Sequence, residues 1–341
     1  MNRRSMVIAG ALLIAGLAGN AAEAKRWGCW IQADRNVRIR NTTSSASAAV
    51  SDWNNLTILN LSSVSSGEET YVFNANSGNT GWGGLATITN YSGCTILRAT
   101  AQLNTYYSWT TNAARGVHCQ EVGHTFGLDH SNDGGCMGGG YWYDIGTHYT
   151  IVQANINEIG SMYANRKADP SEVFGEHGSP GGLAPRIHAF WYNHPHSLHE
   201  ATKIATHVVV ATMTGVSDGK PIVSRAENDN YVTRIPTQRV TFQVMDSRKG
   251  DLGENQTFVL YQNGNFQNRF DEDPSYKMGH TYLMFLSDRG DGTYMVISPE
   301  GRYEIDSKGR LIPAVENSFT DSLKGTQVED VVRDVQRAIE Q

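Results

Sequence analysis

Residues 120–130 read QEVGHTFGLDH and decide the fold of the first half of the chain. Read as the end of a helix, this stretch places Gln120 and His124 on one face, because residues four apart lie one above the other. Gly127 is where such a helix can stop, since glycine takes the left-handed conformation without steric cost. The chain can then turn back and bring His130 to the same point in space.

Glu121 lies beside this face, about 100° round the helix axis at 3.6 residues per turn. A carboxylate next to two or three convergent nitrogen or oxygen ligands is what zinc-assisted peptide hydrolysis needs. The metal polarises a carbonyl and acidifies a water, and the glutamate accepts the proton. The stretch therefore predicts a metal site with an adjacent general base.

The stretch resembles the metzincin zinc metalloproteases, and among them the matrixins, whose signature is H-E-x-x-H-x-x-G-x-x-H followed by a methionine turn. Glu121, His124, Gly127 and His130 fall in register, and Met137 follows at the place of the turn. The resemblance implies a zinc metalloendopeptidase that acts on peptides or proteins, with Glu121 as the catalytic base that activates a zinc-bound water. It also implies that His124 and His130 bind zinc and that Met137 forms a hydrophobic floor under the metal.

Gln120 stands where the signature has its first histidine. Its amide oxygen can ligate zinc, but more weakly than imidazole. His118 is no direct substitute, because six residues before His124 it faces about 120° away on the helix. Three alternatives remain open: Gln120 is a weak third ligand, two histidines bind zinc with water or a distal group, or the site is degenerate.

A degenerate site would make the chain a binding module of metzincin fold or a cell-surface interaction protein. The retained Glu121 argues against decay, because a partly buried carboxylate beside histidines is costly to keep.

The composition is that of a globular protein, with 39% hydrophobic and 18% charged residues among 341. The net charge of −6 gives no electrostatic case for nucleic acid as a partner. Residues 1–24 have the basic start, apolar run and A-x-A ending of a signal peptide, with cleavage expected near Ala24. We therefore expect a secreted or periplasmic protein with no membrane span in its mature part.

The four cysteines, in an exported protein, favour two disulfide bonds with three possible connectivities. Under the metzincin resemblance we favour Cys119–Cys136, which would tie the metal helix to the methionine turn, and hence Cys29–Cys94. An alternative is that Cys29 binds the metal as an inhibitory thiolate, as in zymogens of some metzincins.

The sequence pattern of residues 25–166 predicts an α+β domain. Hydrophobic periodicity predicts helices over 43–54, 112–126 with Asn112 as N-cap, and 150–163. Alternation predicts strands over 25–40, 56–61, 70–73, 85–89 and 95–103. The resemblance implies that these elements form the metzincin catalytic domain: a twisted sheet with an antiparallel edge, a long helix and the active-site helix. Tyr141 or Tyr143 could reach the metal or form part of the cleft wall.

Residues 167–187 predict a linker rich in proline and glycine. Histidines cluster in and after this linker. Either one of them supplies the metal ligand that is missing at Gln120, or all are ordinary surface histidines. They are His177, His188, His194, His196 and His199.

Residues 188–341 predict a β-rich accessory domain whose function the sequence does not reveal. Six short strands, over 206–211, 240–245, 257–261, 282–286, 294–297 and 302–305, favour a small barrel or sandwich. A C-terminal helix follows, with a capping box of Thr326 and Glu329 and an apolar stripe that would pack on the strands.

Overall fold

The computed structural model describes residues 25–131, 134–138, 148–164, 186–265 and 268–341. Within them the chain has the mixed α+β architecture that the sequence predicts. The predicted signal peptide, Tyr141, Tyr143, His177 and nearly all of the predicted linker lie outside the described residues.

The first half alternates strands and helices around one sheet. Its elements are β1 (Lys25–Arg26), β2 (Ile31–Gln32), β3 (Asn36–Asn41), α1 (Ser47–Leu56), β4 (Asn60–Ser63), β5 (Thr70–Ala75), β6 (Trp82–Ser92), β7 (Thr95–Asn104), α2 (Thr111–Thr125), β8 (Leu128–Asp129) and α3 (Gln153–Tyr163). A short 3-10 helix, Ser44–Ala46, leads into α1.

The second half is mostly strand. Its elements are β9 (Arg186–Trp191), α4 (Leu198–Ile204), β10 (His207–Asp218), β11 (Ile222–Arg225), β12 (Val232–Ile235), β13 (Thr237–Lys249), β14 (Thr257–Asn263), β15 (Arg269–Phe270), β16 (Thr281–Asp288), β17 (Tyr294–Val296), β18 (Arg302–Ile305), β19 (Leu311–Pro313), α5 (Ser318–Leu323) and α6 (Val328–Glu340). The 3-10 turn Pro299–Gly301 precedes β18.

The main sheet has the strand order β15-β9-β6-β7-β5-β3-β4. Strands β3, β4, β5 and β7 run parallel to one another, whereas β6 is antiparallel to both β7 and β9. Helices α1 and α2 pack on one face of the sheet, where Trp53 is fully buried and its indole donates a 2.9 Å hydrogen bond to the carbonyl of Cys119. This packing fixes α2 against the centre of the sheet.

Strand β9 is the first described element after the predicted linker, and it extends the sheet of the first half. Its residues 187–191 pair with 82–87 of β6, and β15 pairs with β9 on the other side. Segments that lie far apart in sequence thus complete one sheet.

Five of the remaining strands of the second half form a closed barrel, which is one of the two predicted alternatives; β18 and β19 extend from β16, and β11 pairs with β12 in a separate sheet. The order β10-β13-β14-β17-β16 closes because β16 also pairs with β10. Each of the six predicted strands is present. The C-terminal helix α6 buries Val331, Val332 and Val335 in the cluster that it shares with β16.

Several predicted boundaries were wrong. The N-cap of α2 is Thr110 rather than Asn112, and the Thr110 hydroxyl accepts a 3.2 Å hydrogen bond from the amide of Ala113. Strand β4 starts at Asn60 because α1 continues to Leu56. The capping box of Thr326 and Glu329 does not form, since the Thr326 hydroxyl donates to the carbonyl of Leu323 instead.

Both favoured disulfide bonds are present, Cys29–Cys94 and Cys119–Cys136. The second closes a loop near the 15-residue size that contributes about 3 kcal/mol in the chain-entropy model. Because Cys29 is in a disulfide, it is not the thiolate ligand of the alternative prediction. The two bonds fit an exported protein. Among the described helices, none has the length and apolar character to span a bilayer.

Candidate metal centre

Three histidines from three different elements converge at one end of α2. His124 lies in the last turn of α2, His130 follows β8, and His188 lies in β9. One ring nitrogen of each is within 4.8 Å of the others, a spacing that suits a shared metal ion. The ring centroid of His124 lies 4.8 Å from that of His130 and 4.2 Å from that of His188. The cluster therefore combines the two predicted histidines with one from the far side of the predicted linker.

The available nitrogen atoms fit a metal ion. Nδ1 of His124 lies 2.8 Å from the carbonyl of Leu128, so this nitrogen carries the proton and Nε2 has its lone pair available. Nε2 of His124 and of His130 is buried and has no hydrogen-bond partner in the described part of the chain, whereas Nε2 of His188, also buried, lies 3.2 Å from Oδ1 of Asp129. Buried polar atoms are nearly always satisfied. Two such atoms beside a third imidazole indicate a missing shared partner, and a cation bound by the three imidazoles would supply it.

Carboxylates lie beside both ring nitrogens of His188. Its Nδ1 contacts Oε1 of Glu272, and its Nε2 lies 3.2 Å from Oδ1 of Asp129. The same Glu272 oxygen is 3.8 Å from Nδ1 of His130. A carboxylate behind a metal-ligating histidine orients the ring and makes it a stronger base. Glu272 is placed to do this for both His188 and His130.

These surroundings separate the protonation of the three rings. Burial lowers the pKa of His124 well below its usual range, and it lowers the pKa of His130 to about 4. Burial also disfavours the charged form of His188, but Glu272 and Asp129 outweigh that effect and raise its pKa to about 10. His124 and His130 are thus neutral at pH 7, as metal ligands must be, whereas His188 carries a proton that a bound metal ion would have to displace.

Glu121 points from α2 toward β6 and is completely buried. Burial raises its pKa well above the usual range, while His188 and the backbone amides of Phe190 and Ala86 act in the opposite direction. A Cβ at Gly84 of β6 would overlap the Glu121 carboxylate and lie 3.0 Å from its Cδ atom. The glycine therefore provides the space that the carboxylate occupies.

Gln120 is buried one helical turn before His124, and neither atom of its amide has a hydrogen-bond partner within the described ranges. It is not one of the three clustered ligands. His118 lies elsewhere: its Nε2 is 3.0 Å from both the Ser45 hydroxyl and the Asn74 side-chain oxygen. This position agrees with the helical argument that excluded His118 as a substitute ligand.

Two glycines set the course of the chain around the site. Gly127 has φ +90°, and a Cβ there would overlap the carbonyl oxygen of Trp30, so the turn that follows α2 requires glycine. Gly123, next to His124, lies against Met137. A Cβ added at Gly123 would overlap the sulfur of Met137 and lie 2.8 Å from the Trp53 ring. Met137 is completely buried there, as expected of a hydrophobic floor.

The other described histidines after the predicted linker are not members of the cluster. Nδ1 of His194 is 3.2 Å from Glu300, and His196 and His199 are exposed. The sequence named His188 only as one of five alternatives, and no motif distinguished it. The signal that could have singled it out is its place in RIHAFW, where it alternates with the apolar Ile187 and Ala189 and so faces the opposite side of a strand.

Comparison with protein-family models and with curated proteins finds no match to this sequence.

Proposed function

We propose that this chain is an exported zinc-dependent metallopeptidase of metzincin type, in which His124, His130 and His188 bind the metal and Glu121 is the general base. The observation that carries the proposal is the convergence of three imidazoles beside a buried carboxylate; in two of them, His124 and His130, Nε2 is buried and unpartnered among the described residues. The order of strands and helices that the metzincin resemblance implies supports it as well.

Zinc bound there would polarise the scissile carbonyl and acidify the attacking water. Glu121 would accept the proton of that water and pass it to the nitrogen of the leaving amine. Burial raises the pKa of Glu121, which makes its carboxylate a stronger proton acceptor. Glu272 would keep the ring of His188 in its ligating orientation, and Met137 would support the helix turn that carries His124.

The experiment is a comparison of Glu121→Gln with the natural sequence on an unfolded protein substrate. We expect loss of at least about 100-fold in cleavage rate with unchanged zinc content and unfolding temperature, because the amide cannot accept the proton. Glu254→Gln, at an exposed glutamate, is the matched control. Equal cleavage by both variants would remove Glu121 from the mechanism.

The second candidate is a non-catalytic module in which the metal only stabilises the fold. It is favoured by the complete burial of Glu121, since a peptide cannot approach a base that has no solvent access. The two candidates differ in one result. If the chain is a non-catalytic module, it retains zinc, and no variant of it cleaves peptide bonds, even when the site is exposed.

A further inference from the structure

Strands β11 and β12 form a hairpin, residues 222–235, on the face of the main sheet that α2 does not cover. In β5, Val72 packs in a cluster with residues of α2. Its neighbours Tyr71 and Phe73 pack instead with Tyr231 of the hairpin. Because successive side chains of a strand point to opposite faces of the sheet, the hairpin and α2 lie on opposite faces.

The tip of the hairpin is anchored on the first half of the chain. The ring centroid of Tyr231 lies 4.8 Å from that of Tyr71 and 5.6 Å from that of Phe73. The Tyr71 hydroxyl donates a 2.8 Å hydrogen bond to Asp229, and Asp229 also pairs with Arg40 of β3. Aromatic packing and an ion pair thus fix the tip over β5 and β3.

The base of the hairpin packs on the back of β9. Ile222 and Ile235, the first and last residues of the hairpin, share a buried cluster with that strand. The β9 residues of the cluster are Ile187, Ala189 and Trp191. His188 alternates with them, so its ring points through the sheet toward His124 and His130. The hairpin therefore lies directly behind the strand that carries the third histidine.

Strand β9 lies near the end of the main sheet. It pairs with β6 on one side, and on the other side β15 pairs with its first two residues, Arg186 and Ile187. The rest of the strand, including His188, lies beyond the pairing with β15. Apolar packing against the base of the hairpin holds this part of β9 against the sheet, and the anchored tip keeps the hairpin in place.

We propose that the hairpin 222–235 is a brace that holds β9, and with it His188, in the position that binds the metal ion. The proposal rests on the metal centre of the proposed function but does not require peptide cleavage. Ile222, Tyr231 and Ile235 are positioning residues, because they act on the metal ion only through His188.

A brace of this kind links docking of the hairpin to metal binding. With the hairpin docked, three histidines converge, whereas with the hairpin released only His124 and His130 keep their places on the first half. Zinc that binds the docked state more tightly must also stabilise docking, and by the same factor, because coupling between two sites is reciprocal. The tip of the hairpin thus influences the metal centre from the opposite face of the sheet.

The test uses the full chain and substitutions at the tip, far from the metal ligands. Tyr231→Ala removes the ring that packs on Tyr71 and Phe73, and Tyr231→Phe keeps it. Val244→Ala, in a buried cluster of the barrel that includes neither β9 nor the hairpin, is the control for general destabilisation. Competition with a chelator gives the zinc affinity of each variant, and the visible absorption of the cobalt-substituted chain reports the metal ligands.

We expect Tyr231→Ala to lower zinc affinity at least about tenfold, as loss of a group that orients a metal ligand does. The cobalt spectrum should change with it. Tyr231→Phe and Val244→Ala should keep the natural affinity and spectrum. In the His188→Ala background, Tyr231→Ala should change zinc affinity less than about twofold, because the residue through which the brace acts is gone.

Amide hydrogen exchange measures the reciprocal effect. Saturating zinc should slow exchange in residues 222–235 of the natural chain, and it should not do so in His188→Ala. If Tyr231→Ala does not fold, Asp229→Ala, which removes only the polar anchor of the tip, is measured in its place and read in the same way.

The outcomes distinguish the brace from the metal centre. Equal zinc affinity of the natural chain and the folded tip variant overturns the brace and leaves the metal centre intact. A loss of affinity that is as large in the His188→Ala background also overturns the brace, because the hairpin then acts on the fold in general. A folded natural chain that binds no zinc removes the metal centre, and the brace with it.

Discussion

The imidazole rings of His188 and His124 are stacked, with centroids 4.2 Å apart and planes inclined by only 18°. They belong to β9 and α2, which meet only because β9 pairs with β6 at the end of the main sheet. Trp27 closes the other side, with its ring centroid 4.3 Å from that of His188. The position of His188 therefore depends on tertiary structure that joins the two halves of the chain.

Gln120→His should rescue a chain that lacks His188. In the His188→Ala background, a histidine one turn before His124 would restore a third imidazole to the face of α2 that carries the metal ligands. We expect zinc affinity to rise at least about tenfold over that of His188→Ala alone. Titration against a chromophoric zinc chelator measures it.

The same substitution in the natural sequence should also bind zinc more tightly, by a smaller factor, because His188 already supplies a third ligand. If Gln120→His gains no affinity in either background, position 120 does not face the metal. His199→Gln, at an exposed histidine of α4, is the control for nonspecific zinc binding.

Gly84→Ala should damage the site through the position of Glu121. The added Cβ would overlap both the carboxylate of Glu121 and a methyl group of Val117, so one of them must move. We expect a loss of about 1–3 kcal/mol in the free energy of unfolding. Gly215→Ala in β10 is the matched control, because its Cβ would make an ordinary 3.6 Å contact with Thr241. Chemical denaturation of both variants gives the comparison, and equal stability would contradict the packing at Gly84.

Gly123→Ala tests the support that Met137 gives to the metal helix. Its Cβ would overlap the sulfur of Met137, so we expect destabilisation by about 1–3 kcal/mol. Gly160→Ala, in α3, has open space around the added methyl group. Since alanine restricts the unfolded chain, that control should instead gain about 0.4–1 kcal/mol. Opposite shifts of the two denaturation midpoints are the predicted result.

Local patterns predicted much of the fold. Period-two alternation located most of the longer strands of both halves, although the single strand predicted over 25–40 is three strands and β11, β12, β15 and β19 were not predicted. The helical stretch ending at Gly127 placed His124 and His130 at one point, because that relationship depends on neighbours in sequence. The N-cap of α2 was misplaced by two residues, since both Thr110 and Asn112 are residue types that cap helices.

The third histidine could not be derived in the same way. No local pattern around His188 predicts which strand its segment pairs with, and the predicted linker separates His188 in sequence from His124 and His130. The sequence alone therefore leaves Gln120, which has the right direction on α2, and a distal ligand as open alternatives. The pairing of β9 with β6 depends on packing of the whole chain, including the contacts of Ile187 and Trp191 with the second half.

The most direct test of the metal centre is the zinc content of the purified chain and of His188→Ala, measured side by side by elemental mass spectrometry during dialysis against graded chelator. We predict about one zinc per natural chain. We also predict an affinity at least about 100-fold lower in His188→Ala, because loss of a ligand should cost more than loss of a residue that only orients one. A folded natural chain without zinc, or a His188→Ala variant that retains zinc as tightly as the natural chain, would contradict this account.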